Sequence, residues 1–379
     1  RPGWPRMPGS DNWLTAPALT DLDGDSTLEV IIGSIDGRLY AYHHNGELAT
    51  GWPQFTSAEI FNAPACGDVD GDGQVEVIVC DNAGHVYAWR GDGSLLAGWP
   101  RDALGAGASP LLADLSGDAA LEVIVADASG RISAWGGDGS PMVGWPVNVG
   151  RSFLAAPAAG DLDNDGRLEI VAPAEDGLYV WRADGSFAPG WPKMGVMGSQ
   201  GSSPALADLD GDGKLEIIMA GRAGGVRVYR YDGQVMPGWT GYEPLASRSS
   251  PVVGDMDGDD NPEVIVVGDD TQPWIYAFHH DGSAVSGWPR RIPKREMPYP
   301  YWDRRSSATL AELDGDGLQE LALGVERYVF AWDLSGASDG GAMWPTFRGN
   351  VQRTGSLAAD AAIDTGYLPL LISGSLDSD

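Results

Sequence analysis

Cysteine is almost missing from this sequence: there are two in 379 residues, too few for a disulfide framework. Positive charge is also scarce, with 24 Lys and Arg against 54 Asp and Glu and a formal net charge of −30. That sign excludes a nucleic-acid binder working by phosphate neutralisation, and for the same reason a protein lying on an anionic membrane surface. No apolar run approaches the roughly 18 residues that a spanning helix needs. Helical periodicity is absent throughout. The opening residues, RPGWPRMPGS, lack a charged-then-apolar leader pattern, so the sequence is expected to be a mature chain or an excised piece. What is abundant is Gly (54), Pro (26) and Trp (15), within a composition that is 43% hydrophobic. This is the balance of a folded, turn-rich protein and not of a disordered one.

One nine-residue phrase recurs: DLDGDSTLE at 21, DVDGDGQVE at 68, DLSGDAALE at 114, DLDNDGRLE at 161, DLDGDGKLE at 208, DMDGDDNPE at 255 and ELDGDGLQE at 312. The steps are 47, 46, 47, 47, 47 and 57 residues. A short apolar run precedes each phrase and a β-branched run such as EVIIG or EVIVC follows it. Next comes an alternating segment ending on an aromatic, namely Tyr42, Trp89, Trp135, Trp181, Tyr229, Phe278 or Trp332. A turn and a Gly-Trp-Pro phrase then close the unit. Four short strands per unit, repeated at this period, predict an all-β chain: a seven-bladed β-propeller with four-stranded antiparallel blades over residues 1–355. Residues 356–379 read as a C-terminal tail. Trp-Pro phrases stand at Trp4, Trp52, Trp99, Trp145, Trp191, Trp288 and Trp344, with Trp239-Thr240 as a variant. Eight phrases for seven loops leave one spare, and the N-terminal copy is either a clasp into the last blade or the remnant of a preceding segment.

The phrase D-x-D-x-D-G-x-x-E carries chemistry. Short carboxylates at alternate positions of a tight turn converge on a hard cation, the seventh residue offers a backbone carbonyl, and the ninth closes the cage from the next strand. The expected ligands are Asp21, Asp23, Asp25, Thr27 and Glu29; Asp68, Asp70, Asp72, Gln74 and Glu76; Asp114, Ser116, Asp118, Ala120 and Glu122; Asp161, Asp163, Asp165, Arg167 and Glu169; Asp208, Asp210, Asp212, Lys214 and Glu216; Asp255, Asp257, Asp259, Asn261 and Glu263; and Glu312, Asp314, Asp316, Leu318 and Glu320. The unrelated residues at the seventh position fit a carbonyl role. All-oxygen sites at this density select Ca²⁺, up to seven ions. The third loop has Ser116 for an acid and no Gly at its sixth position, so it is expected to bind weakest. The seventh opens on Glu312, and the sixth has Asp260 where Gly is expected and Pro262 beside Glu263.

Over about residues 10–355, this phrase, its period and its count resemble the FG-GAP or VCBS repeats of bacterial surface proteins and the integrin α-subunit propeller. The resemblance implies structural calcium in the loop between the first two strands of each blade. It also implies that ligands meet the opposite face, and that the setting is extracellular or on a cell surface, as in a bacterial-type secreted protein.

Subtracting the repeat leaves Trp13, Trp274 and Trp302, and one insertion, RRIPKREMPYPYWDRR at 290–305, the densest basic cluster in the chain. Trp13, Trp274, Arg290, Arg291, Arg295, Tyr299, Tyr301, Trp302, Arg304 and Arg305 are the candidate ligand-binding residues, since Arg with Tyr and Trp is the composition of a binding hot spot. The plainer reading, a loop packed over its neighbour, weighs equally. His43-His44 and His279-His280 precede the same turn in units 1 and 6 and read as turn residues; His85 reads as a strand entry. No histidine shows a nucleophile and an orienting acid at a recognisable spacing, so no catalytic residue is expected. Cys66 and Cys80 are expected either as a cross-strand disulfide or as two buried thiols. The expected function is a non-catalytic binding module for an extracellular protein or glycan: a monomeric propeller within a larger secreted or surface protein, without nucleic acid or membrane insertion. A lectin, a spacer of a secreted hydrolase and a polysaccharide lyase are the alternatives.

Overall fold

The computed structural model describes residues 3–4, 6, 15–103, 107–153, 155–195, 202–221, 225–239, 247, 249–259, 261–268, 274–291, 307–311, 318–325, 328–338 and 350. The first repeat sets the pattern. Strand β1 (Ala18–Thr20) leads into the acidic loop, β2 (Glu29–Gly33) leaves it, β3 (Arg38–Tyr42) returns, and the two-residue β4 (Gln54–Phe55) closes the sheet. Pairing is antiparallel throughout, with Ala18 opposite Ile31, Val30 opposite Tyr42, and Leu39 opposite Gln54.

Six further sheets follow in order. Sheet 2 holds β5 (Ala65–Gly67), β6 (Glu76–Cys80), β7 (His85–Arg90) and β8 (Arg101–Asp102). Sheet 3 holds β9 (Leu111–Ala113), β10 (Glu122–Ala126), β11 (Arg131–Trp135) and β12 (Val147–Asn148), and sheet 4 holds β13 (Ala158–Gly160), β14 (Glu169–Ala174), β15 (Gly177–Arg182) and β16 (Lys193–Met194). Sheet 5 has β17 (Ala205–Ala207), β18 (Glu216–Gly221) and β19 (Gly225–Tyr229). Sheet 6 has β20 (Val252–Gly254), β21 (Glu263–Val267), β22 (Trp274–Phe278) and β23 (Arg290–Arg291), and sheet 7 has β24 (Thr309–Ala311), β25 (Leu318–Val325) and β26 (Tyr328–Ser338). Five sheets therefore carry the four strands that the sequence predicts, while sheets 5 and 7 show three among the described residues.

The first strands of successive sheets lie side by side, from β1 against β5 through to β20 against β24. Whereas β2 of sheet 1 alternates buried and half-buried residues, the second strands of sheets 2 to 5 are consequently covered on both faces, with EVIVC of β6 and EVIVA of β10 buried at every residue. That burial is why these runs are continuously apolar instead of alternating. The apolar clusters each span neighbouring sheets, the one around Val77 and Val79 joining sheets 1 and 2, the one around Val123 and Val125 joining 2 and 3.

Two further devices fasten neighbours. In five repeats the Trp of the Gly-Trp phrase donates its Nε1–H to a carbonyl in the turn after the third strand of the next sheet: Trp52 to Gly91 (2.9 Å), Trp99 to Gly137 (2.8 Å), Trp145 to Ala183 (2.8 Å), Trp191 to Tyr231 (2.8 Å) and Trp239 to His280 (2.9 Å). The rings of Trp52, Trp99, Trp191 and Trp239 also pack edge-on against the aromatic near the end of that strand, Trp99 on Trp135 at 6.1 Å and 67°. Trp4 does this for sheet 1, donating to the His44 carbonyl at 3.0 Å and meeting Tyr42 edge-on. The N-terminal phrase thus fills on sheet 1 the seat that a preceding repeat's phrase fills on sheets 2 to 6. Serines before the first strands make the second device. Ala156 N–H donates to Ser203 Oγ, Ser203 N–H to Ser250 Oγ, and Ser250 N–H to Ser307 Oγ, each step one repeat long.

Candidate metal sites

Each described acidic loop is built by its own carboxylates. In loop 2, Asp68 Oδ1 accepts the Gly71 N–H at 2.7 Å and Oδ2 accepts Gly73 N–H at 2.8 Å, while Asp72 Oδ1 accepts Gln74 N–H at 2.8 Å. Loops 1 and 5 repeat this set around Asp21 and Asp208. The fourth and sixth positions both lie in the left-handed region, Gly71 at φ +74° and Gly73 at +83°. Gly is expected from the phrase at the sixth position, and the fourth shares the left-handed turn with it. Where these positions are not Gly the backbone keeps the same shape, with Ser26 at +68°, Ala119 at +75° and Asn164 at +60°. The third loop's deficit in Gly is thus a real strain, and loop 1 shares it through Ser26.

The ninth-position Glu is buried in every repeat: Glu29, Glu76, Glu122, Glu169, Glu216, Glu263 and Glu320. In the six repeats where the loop is described, one of its oxygens accepts the N–H of the second loop residue, from Leu22, Val69, Leu115, Leu162, Leu209 and Met256 at 2.6–3.0 Å. This clamp aims the other oxygen. In loop 2 that oxygen, Glu76 Oε1, is buried without a hydrogen-bond partner. Ligand oxygens of Asp68, Asp70 and Glu76 lie within 4.8 Å of one another, as do those of Asp161, Asp163 and Glu169 and of Asp21, Asp23 and Asp25. Burial, reinforced by the neighbouring Asp charges, pushes the carboxyls of Glu76, Glu169 and Glu216 up to about 7, and burial does the same to Glu263. Glu29 and Glu122 move in the same direction, again chiefly through burial. An orphaned buried oxygen facing clustered carboxylates is a donor set that fits a hard cation.

A position that the sequence reading left as part of a turn also reaches the loops. The residue after the aromatic that ends the third strand is Arg90 in sheet 2 and Arg230 in sheet 5, and each guanidinium donates to the third-position acid, Asp70 or Asp210, at 2.7 Å. In sheets 1 and 6 it is His43 and His279. Their backbones do form the expected turn, but each Nδ1 lies 3.0 Å from the buried Glu29 or Glu263 and 3.9 Å from Asp23 or Asp257. A basic residue recurring at one register position was the available signal.

Of the expected ligands, Glu312, Asp314 and Asp316 lie outside the described residues, Leu318 begins β25, and Glu320 is buried. Trp13, Arg295, Tyr299, Tyr301, Trp302, Arg304 and Arg305 also lie outside them, as do residues 356–379. Trp274 is half-buried against the core of sheets 4 to 6 and stands opposite Arg291 across β22 and β23. Arg290 and Arg291 are exposed, with Arg290 Cζ 4.6 Å from the Trp288 ring centre. Cys66 and Cys80 are buried and not joined in a disulfide: Cys66 packs into the core shared with sheet 1 and Cys80 into the core shared with sheet 3. They face opposite sides of sheet 2, which settles the pairing question in favour of thiols, and burial pushes Cys80 up to about 12.

The structure also gathers a group that spacing did not reveal. Ser57 Oγ is 2.7 Å from Asp81 Oδ2 and 2.8 Å from His85 Nδ1, and His85 Nε2 is 3.6 Å from Asp102. Ser57 has one proton for two neighbours. Its hydrogen bond helps to hold the buried Asp81 carboxyl below its ordinary range, so Asp81 is the acceptor and His85 Nδ1 the donor to Ser57. That is the reverse of a nucleophile–base order.

The fold is similar to that of several solved structures. A computationally designed protein, Ika8, matches over 86% of this chain and 85% of its own at 14% identity and a TM-score of 0.56. BamB from Moraxella catarrhalis matches over 82% and 83% at 20% and 0.53, and BBS1N, crystallised in complex with ARL6DN, over 84% and 90% at 15% and 0.53. Comparison with the curated proteins gives no match. The FG-GAP-like repeat matches five times, at residues 21–79, 68–125, 114–172, 161–219 and 208–266, each match opening on the first Asp of an acidic loop. The chain belongs to the FG-GAP-like repeat family. Among the described residues no helix is long and apolar enough to cross a membrane.

Proposed function

We propose that this protein is a seven-bladed β-propeller whose acidic loops bind Ca²⁺, and that it serves as a non-catalytic binding module outside the cell. Seven successive sheets, joined first strand to first strand from sheet 1 to sheet 7, support the blades; contact of sheet 7 with sheet 1 would close the ring. The observation that carries the metal reading is Glu76, a buried carboxylate with one oxygen clamped by Val69 N–H and the other unpartnered beside Asp68 and Asp70. Calcium would supply positive charge there. The protein's own part is to hold oxygens from the loop and from the second strand in one cluster, so that binding fastens the first two strands of a blade together. Binding of a protein or glycan belongs to the opposite face, where Trp274 and Arg291 meet and where the 290–305 insertion departs.

Melting in millimolar Ca²⁺ and after chelation tests the metal reading: a rise of several degrees with Ca²⁺ is expected, and equal melting points refute it. A glycan array in Ca²⁺ separates the lectin alternative, which requires a sugar hit that Trp274→Ala or Trp302→Ala abolishes.

A further inference from the structure

The acidic loops are not one kind of site. In sheets 2 and 5 the residue after the third-strand aromatic is Arg90 or Arg230, which sets a permanent cation on the outer acid of the loop and offers no lone pair; at the same register of sheet 4 Arg182 is exposed. In sheets 1 and 6 the same register carries an imidazole. We propose that the loops of sheets 1 and 6 form a second class of metal site, in which His43 and His279 add a nitrogen donor and which takes a borderline divalent cation such as Zn²⁺ in preference to Ca²⁺. This rests on the reading that the loops bind metal at all.

The donor geometry carries the assignment. At each site one nitrogen and two carboxylates, from Asp23, Glu29 and His43 or from Asp257, Glu263 and His279, bring ligand atoms within 4.8 Å of one another. Nδ1 stands 3.0 Å from the Glu oxygen and 3.9 Å from the Asp oxygen in both, a repeat of the same arrangement in two sheets far apart in sequence. Zinc bonds of about 2.0–2.1 Å in a tetrahedron place neighbouring ligand atoms about 3.3 Å apart, between those two distances. The Glu is fixed from behind: its second oxygen accepts Leu22 or Met256 N–H at 2.9 Å, and the side chain is fully buried. The imidazoles are about a quarter exposed, which leaves room for water as a fourth ligand. Calcium draws on oxygen donors, whereas an imidazole beside two carboxylates suits Zn²⁺ or Co²⁺. The sequence gives no trace of this in the acidic phrase itself, because the third donor enters from a strand end 14 or 16 residues past the Glu.

The test uses the whole chain, stripped by chelator and returned to millimolar Ca²⁺. Titration with Co²⁺, followed by visible absorption, is expected to show two tightly bound equivalents with a nitrogen-ligated, low-symmetry band, displaced by Zn²⁺ and resistant to Ca²⁺. His43→Gln with His279→Gln is expected to weaken both about 10-fold or more, while His44→Gln leaves them intact and the Ca²⁺-dependent rise in melting point survives in every variant. Co²⁺ that is displaced as readily by Ca²⁺ as by Zn²⁺, or that binds the double variant as tightly, overturns the proposal and leaves the calcium reading standing. A chain that shows no response to Ca²⁺ refutes the calcium reading separately. Should the double variant fail to fold, imidazole ¹⁵N shifts of the unaltered chain decide: Zn²⁺ must move the Nδ1 signals of His43 and His279, and an unmoved pair overturns the assignment.

Discussion

At the scale of single residues, the buried glutamates tie stability to proton binding. Glu76, Glu169, Glu216 and Glu263 hold their protons up to about pH 7 in the folded chain, against an ordinary value of 4.5. Between those limits the unfolded chain has already released protons that the metal-free fold retains, so stability falls as pH rises through that window. Below it the opposite trend sets in, because Asp81, Asp92 and Asp184 are held below their ordinary range by hydrogen bonds and lose that stabilisation on protonation. The metal-free protein is therefore expected to melt highest near pH 4–5 and several degrees lower at pH 7.5, with Ca²⁺ restoring the loss only at the higher pH. Melting curves across pH with and without Ca²⁺ measure this, and a metal-free melting point that climbs from pH 5 to 7.5 contradicts it. Ala119 offers a second test: it holds φ +75° in the third loop, so Ala119→Gly is expected to stabilise by about 0.5–1 kcal/mol as the left-handed strain is relieved against the added chain entropy. A shift in denaturation midpoint to higher denaturant reports it.

At the scale of strands and loops, the period of the sequence announced the sheets. The β-branched runs after each acidic phrase became β2, β6, β10, β14, β18 and β21, and the aromatics closed the third strands. What the period could not convey was contact between repeats. Each Gly-Trp-Pro phrase was legible as a terminator, but its Trp works 38–41 residues downstream, on the neighbour's turn. The histidines were legible as turn residues, and only the fold shows that a strand-end side chain swings back to a loop. Ser57 and His85 had no signal at all, since a connector residue of one sheet meets a strand entry of the next. The inter-sheet seat is sharply testable. A Cβ on Gly98 would stand 2.0 Å from the Asp138 carbonyl oxygen, so Gly98→Ala must push the phrase off sheet 3. Trp99→Ala removes a buried ring together with its hydrogen bond to Gly137, an expected loss of about 3–5 kcal/mol. Exchange protection of sheet 2 and sheet 3 amides should fall in both variants, whereas protection of sheet 5 should not.

At the scale of the whole molecule, charge is the dominant fact. The seven acidic phrases hold 28 of the 54 acids in a chain of net charge −30. In the metal-free chain these charges repel one another within single turns, so monovalent salt at high concentration is expected to raise its melting point by screening. The increment should shrink once Ca²⁺ is added, and an equal salt response in both states argues against loop repulsion as the cause.

The tryptophan seats have a consequence for how such a molecule fails. Among the described residues the seats of Trp52, Trp99, Trp145, Trp191 and Trp239 each join one sheet to the next, so these sheets are coupled like carriages in a train. Oxidation of one indole uncouples one joint and leaves the rest standing. Damage should then be read out as a ladder: limited proteolysis after mild oxidation cutting at repeat boundaries, with fragments differing by whole repeats.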